Sequence, residues 1–280
     1  MSGTLYVCAT PIGNLGDISK RLSETLCAVD IIAAEDTRHT GKLLKHLGIS
    51  KPCISYFTHN QKGHGEKIIE MLLAGKNVAL VSDAGTPAIS DPGEELVMLC
   101  AENGIPTVPV PGACAAISAL SVSGLATGRF VFEGFLPMQK KGRMERLAEL
   151  ESEMRTIIFY EAPHKLVRTL EDFKSTFGAN RRISLCRELT KLHEEIFRTT
   201  VGEALSTYLE TPPRGEFVLI LEGATEPERD VEPDISVLEH VEMHEKSGMT
   251  RMEAIKKTAQ ERGVPKREIY DAVMREKESL

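Results

Sequence analysis

Residues 78–93 read Val-Ala-Leu-Val-Ser-Asp-Ala-Gly-Thr-Pro-Ala-Ile-Ser-Asp-Pro-Gly. The first four have the length and apolar content of a buried strand. Such a strand runs here straight into Ser82, Asp83, Gly85, Thr86, Pro87, Ser90, Asp91, Pro92 and Gly93. So many turn formers place its C-terminal end at the edge of a sheet. In open α/β sheets that edge is where ligands bind. Gly85 lets backbone approach a ligand, and Pro87 and Pro92 hold the loop in one shape. Any one of these residues suits an ordinary strand-to-helix turn; the whole cluster points to a binding loop.

The same grammar recurs up to about residue 124. Leu5–Ala9 is a strand followed by Thr10, Pro11, Gly13, Asn14 and Gly16, with Asp17 and Ser19 placed to cap a helix through Leu26. The G-x-x-G spacing departs from the dinucleotide pattern and no Walker lysine follows, which argues against a nucleotide-phosphate site. Ile31–Ala34 ends in Glu35-Asp36-Thr37-Arg38-His39-Thr40, more charge than a helix start needs. Asp36 suits both a cap for the helix through Leu47 and a site, while Glu35 and Arg38 form a solvated pair on the simpler view. Cys53–Phe57 is a third strand, followed by His59, Asn60, Gln61 and Lys62. Helical spacing covers Glu66–Leu73 and Glu94–Glu102. Thr107–Val110 then leads through Pro111, Gly112, Ala113, Cys114, Ala115 and Ala116 into a helix reaching about Val122. Small residues there expose helix N–H groups to a ligand or allow close helix packing. Alternating strands and helices predict a mainly parallel sheet.

Beyond Gly124 the texture changes. Phe130–Leu136, Thr156–Tyr160, Arg182–Arg187, Glu194–Val201 and Phe217–Leu221 are β-rich, with a charged helix over Arg143–Met154 and another to about Phe177. Their short connections predict a mixed or antiparallel sheet in a second domain. His164, beside Pro163, is a surface or capping histidine or a base. Thr225–Pro233 is acidic and proline-containing, as a linker is. The rest reads as three short helices broken at Ser247-Gly248 and Gly263-Val264-Pro265, with a capping box from Thr250 to Glu253. Arg251, Lys256, Lys257, Arg262, Lys266 and Arg267, with Tyr270, suggest a helix-turn-helix-like unit facing RNA. Glu253, Glu261 and Glu268 dilute that charge, and a solvated surface is the plainer reading. The expected division is therefore 1–120, 121–224, a linker at 225–233, and a helical tail at 234–280.

The totals set bounds. The chain has 280 residues, enough for two domains, with 41% hydrophobic and 27% charged content. A net charge of -7 excludes a polyelectrolyte binder of nucleic acid but leaves room for a local basic patch. No apolar run approaches the ~20 residues of a membrane span, and the first residues lack signal-peptide form. Cys8, Cys27, Cys53, Cys100, Cys114 and Cys186 are scattered without a CxxC pair. They predict reduced core thiols in a cytoplasmic protein, with no disulfide frame and no metal site.

The strings TPIGNLGDIS, AAEDTRHTGKLL, VSDAGTPAISDPG, VPGACAAISALSVSGL, FEGFLP, FYEAPHKL, CRELTKLHEE and RGEFVLILEG occur in this order. Together they resemble the tetrapyrrole methylase superfamily, and within it the group that methylates a cytidine ribose 2′-oxygen in the decoding centre of 16S rRNA. The resemblance spans residues 4 to about 224, and the tail looks like that group's helical extension. It implies two α/β domains with S-adenosylmethionine in the cleft between them, an rRNA substrate within the 30S subunit, and a homodimer. Carried over by position, the family's Gly-Asp-Pro loop falls on Gly85, Thr86 and Pro87, with Ala88 and Ile89 on the same wall. Thr86 replaces the acid, and Asp83 is the nearest substitute. The loop of the fifth strand falls on Gly112–Ala116, with Ala113 and Cys114 where the group usually shows Pro-Ser. Pro11 and Gly13 belong to the first loop, and Tyr160, Glu161 and the run 215–221 close the cleft.

Methyl transfer to a ribose hydroxyl calls for a base or orienting group near the methyl carbon. Asp36 is the first candidate, with Asp17 and Glu188 behind it. Arg38, Lys42 and Arg187 suit phosphate contacts, and Lys257 and Arg267 extend them into the tail.

Overall fold

The computed structural model describes residues 1–57, 61–225 and 235–278, with side chains omitted at 61–62 and 276–278. Five strands, β1 (Leu5–Cys8), β2 (Ile31–Ala34), β3 (Cys53–Ser55), β4 (Val78–Val81) and β5 (Thr107–Val110), form an all-parallel sheet in the order β3-β2-β4-β1-β5. Helices α1 (Lys20–Ala28), α2 (Thr37–Leu47), α3 (Gln61–Leu73), α4 (Glu94–Glu102) and α5 (Ala115–Val122) follow the strands in turn. Strand β4 is buried throughout. Val78 and Leu80 pack with Ile68, Leu72 and Leu96 on one face, while Ala79 and Val81 pack with Leu22, Leu26 and Leu44 on the other. Alternation of side chains along a strand, with helices on both faces, explains why this strand reads as unbroken apolar sequence.

Insertion of β4 between β2 and β1 reverses the winding of the sheet. The loops after β4, β1 and β5 consequently emerge side by side at the carboxyl edge, the switch point at which such sheets bind ligands. Backbone bonds confirm the contact: Thr10 N donates to Gly85 O at 2.8 Å, and Gly85 N to Thr10 O at 3.1 Å.

The second sheet runs β6-β7-β10-β8-β9. Its strands are β6 (Phe130–Phe135), β7 (Thr156–Glu161), β8 (Arg182–Arg187), β9 (Glu195–Thr200) and β10 (Phe217–Leu221). Only the β6–β7 pair is parallel, so the sheet is mixed, as expected. Helices α6 (Lys140–Leu150), α7 (Pro163–Phe177) and α8 (Val201–Glu210) cover one face, with Leu147, Leu170, Phe173 and Leu205 against Phe159 and Leu219. The other face receives α5: Ala116, Ala119 and Leu120 pack on Ile158, Val218 and Ile220. The last helix of the first sheet therefore supplies a core for the second, and residues Met1–Gly223 form one compact unit.

Several expected boundaries move. Asp17 lies in a short 3-10 turn that Asn14 caps, and Ser19 alone caps α1. Helix α3 begins at Gln61 rather than Glu66 and passes through Gly63 and Gly65. Helix α6 starts at Lys140 and ends at Leu150, earlier at both ends than the expected Arg143–Met154. Glu151 N donates to Ala148 O and Glu153 N to Leu150 O to close its end, and beyond it Arg155 backbone N and guanidinium bind the Glu153 carboxylate at 2.6–2.8 Å. Val201 opens α8, under the Thr200 cap, instead of ending β9. Of the cysteines expected in the core, Cys8, Cys100 and Cys186 are buried, Cys53 and Cys114 are half-buried, and Cys27 is exposed.

Residues Ala224–Leu280 form a second unit. The expected linker falls, from Glu226 on, outside the described residues. Helices α9 (Val237–Lys246), α10 (Arg251–Glu261) and α11 (Lys266–Glu278) close around Val241, Ala254, Ile255, Ile269 and Val273. The expected Thr250–Glu253 box is present, and Ser236 and Glu239 make another on α9. Glu261 corrects the picture of a charge diluting a basic face. Its Oε2 lies 2.9 Å from His240 Nε2 and 2.8 Å from His244 Nε2, both histidines being buried. Arg262 Nε donates to His240 Nδ1 at 3.1 Å, so Nε2 carries the ring proton and donates to Glu261. Arg262 also donates to Ile235 O at 2.6 Å, while Lys257, Arg251 and Arg267 pair with Glu261, Glu245 and Asp271. Much of the expected basic stripe is thus spent within the fold. No helix among the described residues is long and apolar enough to cross a membrane.

Candidate functional site

The three carboxyl-edge loops and the inner face of the second sheet enclose a cavity of about 530 Å³. From the sequence-selected residues it draws Gly85, Thr86, Ile89, Cys114, Ala115, Tyr160 and Glu161 onto its wall. Glu216, Phe217 and Val218 of the expected run 215–221 and Asp91 of the β4 loop also line it. Pro11, Gly13, Asp83, Pro87, Ala88, Gly112 and Ala116 stand behind that wall or beside it, while Ile12, Phe135 and Lys191 line it without having been singled out.

Each loop is held by its own chemistry. Gly85 has φ +83°, and a Cβ there would stand 3.3 Å from Ile12 Cγ2. Glycine suits that conformation, in which other residues are strained. Thr86 Oγ1 donates to Ala113 O at 3.1 Å, and Thr10 Oγ1 to Ser82 O at 3.2 Å. The threonine that replaces the family's acid therefore ties the β4 loop to the β5 loop. A Cβ on Gly112 would meet Ala9 at 3.0 Å, so the β5 loop lies against β1. Ala116 N, in the first turn of α5, donates to Tyr160 Oη at 3.2 Å and joins the loop to the second sheet. Phe132 and Phe135 pack edge-on against that tyrosine, at 5.1 and 5.6 Å between ring centres.

Among the described residues, the non-glycine positions with positive φ are Ala88 (68°), Ser90 (60°), Glu188 (50°) and Thr190 (67°). They fall in two loops, both bordering this cavity. Strained backbone concentrates at functional sites, where surrounding structure over-determines it. Here the surroundings are visible: a Cβ on Gly134 of β6 would touch Ser90 Oγ at 2.6 Å, and one on Gly215 would touch Glu188 Cγ at 2.5 Å.

The carboxylates divide by environment. Asp17 is exposed. Asp36 caps α2 and accepts from Arg38 Nε at 3.1 Å and Nη2 at 2.8 Å, which holds its carboxyl down at about 2. Glu188 accepts from Lys191 Nζ at 2.9 Å and Glu216 N at 2.9 Å, and that lysine keeps it below the ordinary carboxylate range. None of these three lines the cavity. Asp83 Oδ1 accepts from Asp36 N at 3.1 Å and its own N donates to Glu35 Oε2 at 3.4 Å, so it braces the β2 and β4 loops instead of filling the place of the missing acid. Glu161 is buried, accepting from Thr169 Oγ1 at 2.5 Å and Ala162 N at 2.9 Å. Asp91 differs: it lies on the wall, and burial, then the Glu35 charge, push its carboxyl up to about 6. Glu35 is itself raised, first by burial. Arg38 and Lys42 are exposed outside the cavity, Arg187 pairs with Glu195 at 2.9 Å, and Lys257 and Arg267 belong to the second unit.

A parallel sheet with a ligand edge, joined through α5 to a mixed sheet that closes the cavity, defines a two-sheet α/β protein with its binding site between the sheets. The chain belongs to the tetrapyrrole (corrin/porphyrin) methylase family, whose model matches residues 4–205. It is 50% identical over 268 residues, 96% of each chain, to the ribosomal RNA small subunit methyltransferase I of Synechocystis sp.. The protein of that name from Halalkalibacterium halodurans is also 50% identical, over 96% of this chain and 94% of its own. Among solved structures, the uroporphyrin-III C-methyltransferase of Thermus thermophilus complexed with S-adenosylhomocysteine shares the fold. It has a TM-score of 0.57 at 16% identity and covers 79% of this chain and 97% of that one.

Proposed function

We propose that this protein transfers a methyl group from S-adenosylmethionine to the ribose 2′-oxygen of a cytidine in the decoding centre of 16S rRNA. The observation that carries the reading is half-identity along 96% of both chains to a relative named as a small-subunit rRNA methyltransferase. The cavity fits the donor. Its volume of about 530 Å³ is that of a small-molecule site. Gly85 brings bare backbone to its wall, and the carboxylate of Asp91 there offsets a sulfonium charge.

When bound, a sulfonium supplies a methyl carbon activated for in-line displacement. The chain supplies position, the larger part of the acceleration in such a reaction. Ile12, Ile89, Phe135 and Val218 give the cavity apolar walls, and the Thr86–Ala113 and Ala116–Tyr160 bonds fix those walls relative to each other. Arg38, Lys42 and Arg187, with Lys257 and Arg267 of the tail, are proposed to contact the rRNA backbone. Asp36 and Glu188 suit charge pairing and capping better than proton abstraction, and Asp17 is exposed outside the cavity. The acceptor is proposed to be the rRNA of a 30S subunit in the bacterial cytoplasm, met by a homodimer.

The test uses purified protein, methyl-labelled S-adenosylmethionine and 30S subunits from cells lacking the modification. Digestion of the RNA is expected to place label on the ribose 2′-oxygen of a decoding-centre cytidine. Label absent from rRNA, with S-adenosylhomocysteine still bound in calorimetry, redirects the reading to another acceptor, such as a tetrapyrrole.

A further inference from the structure

We infer that Asp91 is the catalytic base, its carboxylate taking the proton of the hydroxyl that receives the methyl group. This rests on the methyltransferase reading above and names a residue for it. The argument begins with elimination among carboxylates. Asp17 is exposed, Asp36 is locked to Arg38, and Glu188 is locked to Lys191. On the cavity wall, Glu161 is buried and held by one hydrogen bond at each oxygen, from Ala162 N and Thr169 Oγ1. Glu216 is paired with Lys191 at 2.8 Å, with 81% of its side chain exposed. A base must keep a lone pair free for the substrate. Asp91 also lies on the wall, and no basic side chain is among the groups that shift it, so no ion pair locks its carboxylate.

Position supports the same assignment. Asp91 lies in the strained turn between Ala88 and Gly93, whose Ser90 is pinned against Gly134 of the second sheet. The carboxylate is thereby presented to the cavity by both sheets and not by a mobile loop tip. The groups that face it are Glu35 from the end of β2, Asp83 from the end of β4 and Tyr160 from β7. Glu161, His164, Lys191 and Glu216 are the other charged or titratable groups of consequence on the wall. Burial and the negative neighbours hold Asp91 near 6, high enough for useful basicity and low enough to be ionised at neutral pH. In the step, the hydroxyl oxygen bonds to the methyl carbon as the carbon–sulfur bond breaks, its electron pair leaving on sulfur as a neutral thioether. The hydroxyl proton passes to an Asp91 oxygen, which later releases it to solvent.

The experiment compares the full chain with Asp91→Asn and Asp91→Glu in three readouts. These are methyl transfer to 30S subunits against pH, S-adenosylhomocysteine affinity by calorimetry, and carbon-13 titration of labelled aspartate carboxyls. Wild-type transfer is expected to rise with pH through about 6 and level off, and one carboxyl should titrate there and vanish in Asp91→Asn. Asp91→Asn is expected to lose about 10²–10⁴-fold in rate, the range for a general base, with the thioether affinity held within about threefold and part of the rate restored in Asp91→Glu. Asp91→Asn retaining its rate, or losing rate and thioether affinity in parallel, overturns the assignment while leaving the methyltransferase reading intact. Absence of transfer to RNA by the wild-type protein overturns the acceptor reading and this assignment with it.

Discussion

The loops after β2 and β4 leave neighbouring parallel strands, and both carry aspartates, yet the two put them to opposite uses. Asp36 caps a helix and is forked by Arg38, so its charge is stabilised and held. Asp91 has burial and the Glu35 carboxylate working against its charge. The first carboxyl sits at about 2 and the second at about 6. Residue type is the same in both loops; what differs is whether the carboxylate is forked by an arginine two positions along the chain or buried and faced by a glutamate from another strand. A group with a perturbed pKa in a cleft is a functional candidate, whereas one satisfied by its own neighbour is scaffold.

The contrast breaks most readily at the wall itself. Gly85→Val places a side chain at φ +83° and against Ile12, and is expected to weaken S-adenosylhomocysteine binding at least about tenfold in calorimetry. Unchanged affinity would detach the β4 loop from the ligand site. The opposite electrostatics predict opposite stability effects. Asp91 titrates near 6 in the fold against 3.8 as its ordinary value. The folded state therefore binds the proton more tightly, and the charge costs stability increasingly as pH rises from about 4 to 6. Asp91→Asn should unfold later than wild type at about pH 7.5, by about 1–3 kcal/mol in urea titrations, with the gap closing below about pH 4. For Asp36 the sign reverses, since its folded value lies below the ordinary one. Its contribution is present above about pH 4 and is lost as pH falls through about 2. Thr86→Val, which removes the bond to Ala113, is expected to cost about 0.5–1.5 kcal/mol in the same titrations and less than about tenfold in thioether affinity. Smallest is Asp36→Ala. It should lower Tm slightly while leaving methyl transfer within about threefold of wild type; a loss approaching that of Asp91→Asn would invert the comparison.

Sequence made much of this architecture legible. The run Val78–Val81 reads as buried because both faces are covered, and the glycine loops mark the ligand edge because bare backbone approach has a compositional signature. Periodicity runs on past the end of helix α6, where the chain turns at Glu151–Glu153 through bonds back to Ala148 O and Leu150 O. In the sequence Asp91 is visible only as a turn former: its character comes first from burial and then from Glu35, and distance along the chain gives no hint that Glu35 faces it. Glu261 was read as surface charge for the same reason, its histidine partners lying on a different helix. Thr86 is instructive in the other direction. It departs from the family pattern, and its hydroxyl makes a bond between two loops.

The measurement that bears most directly on the account is a crystal structure of the protein with S-adenosylhomocysteine. A hydroxyl in line with the methyl carbon and in hydrogen-bond reach of its base limits the distance from base to sulfur to about 8 Å. The ligand is therefore expected in the cavity between the β4 loop and β7, with its sulfur within that distance of the Asp91 carboxylate. A thioether bound outside this cavity, or with its sulfur beyond about 12 Å from Asp91, would contradict both the site and the base assigned to it.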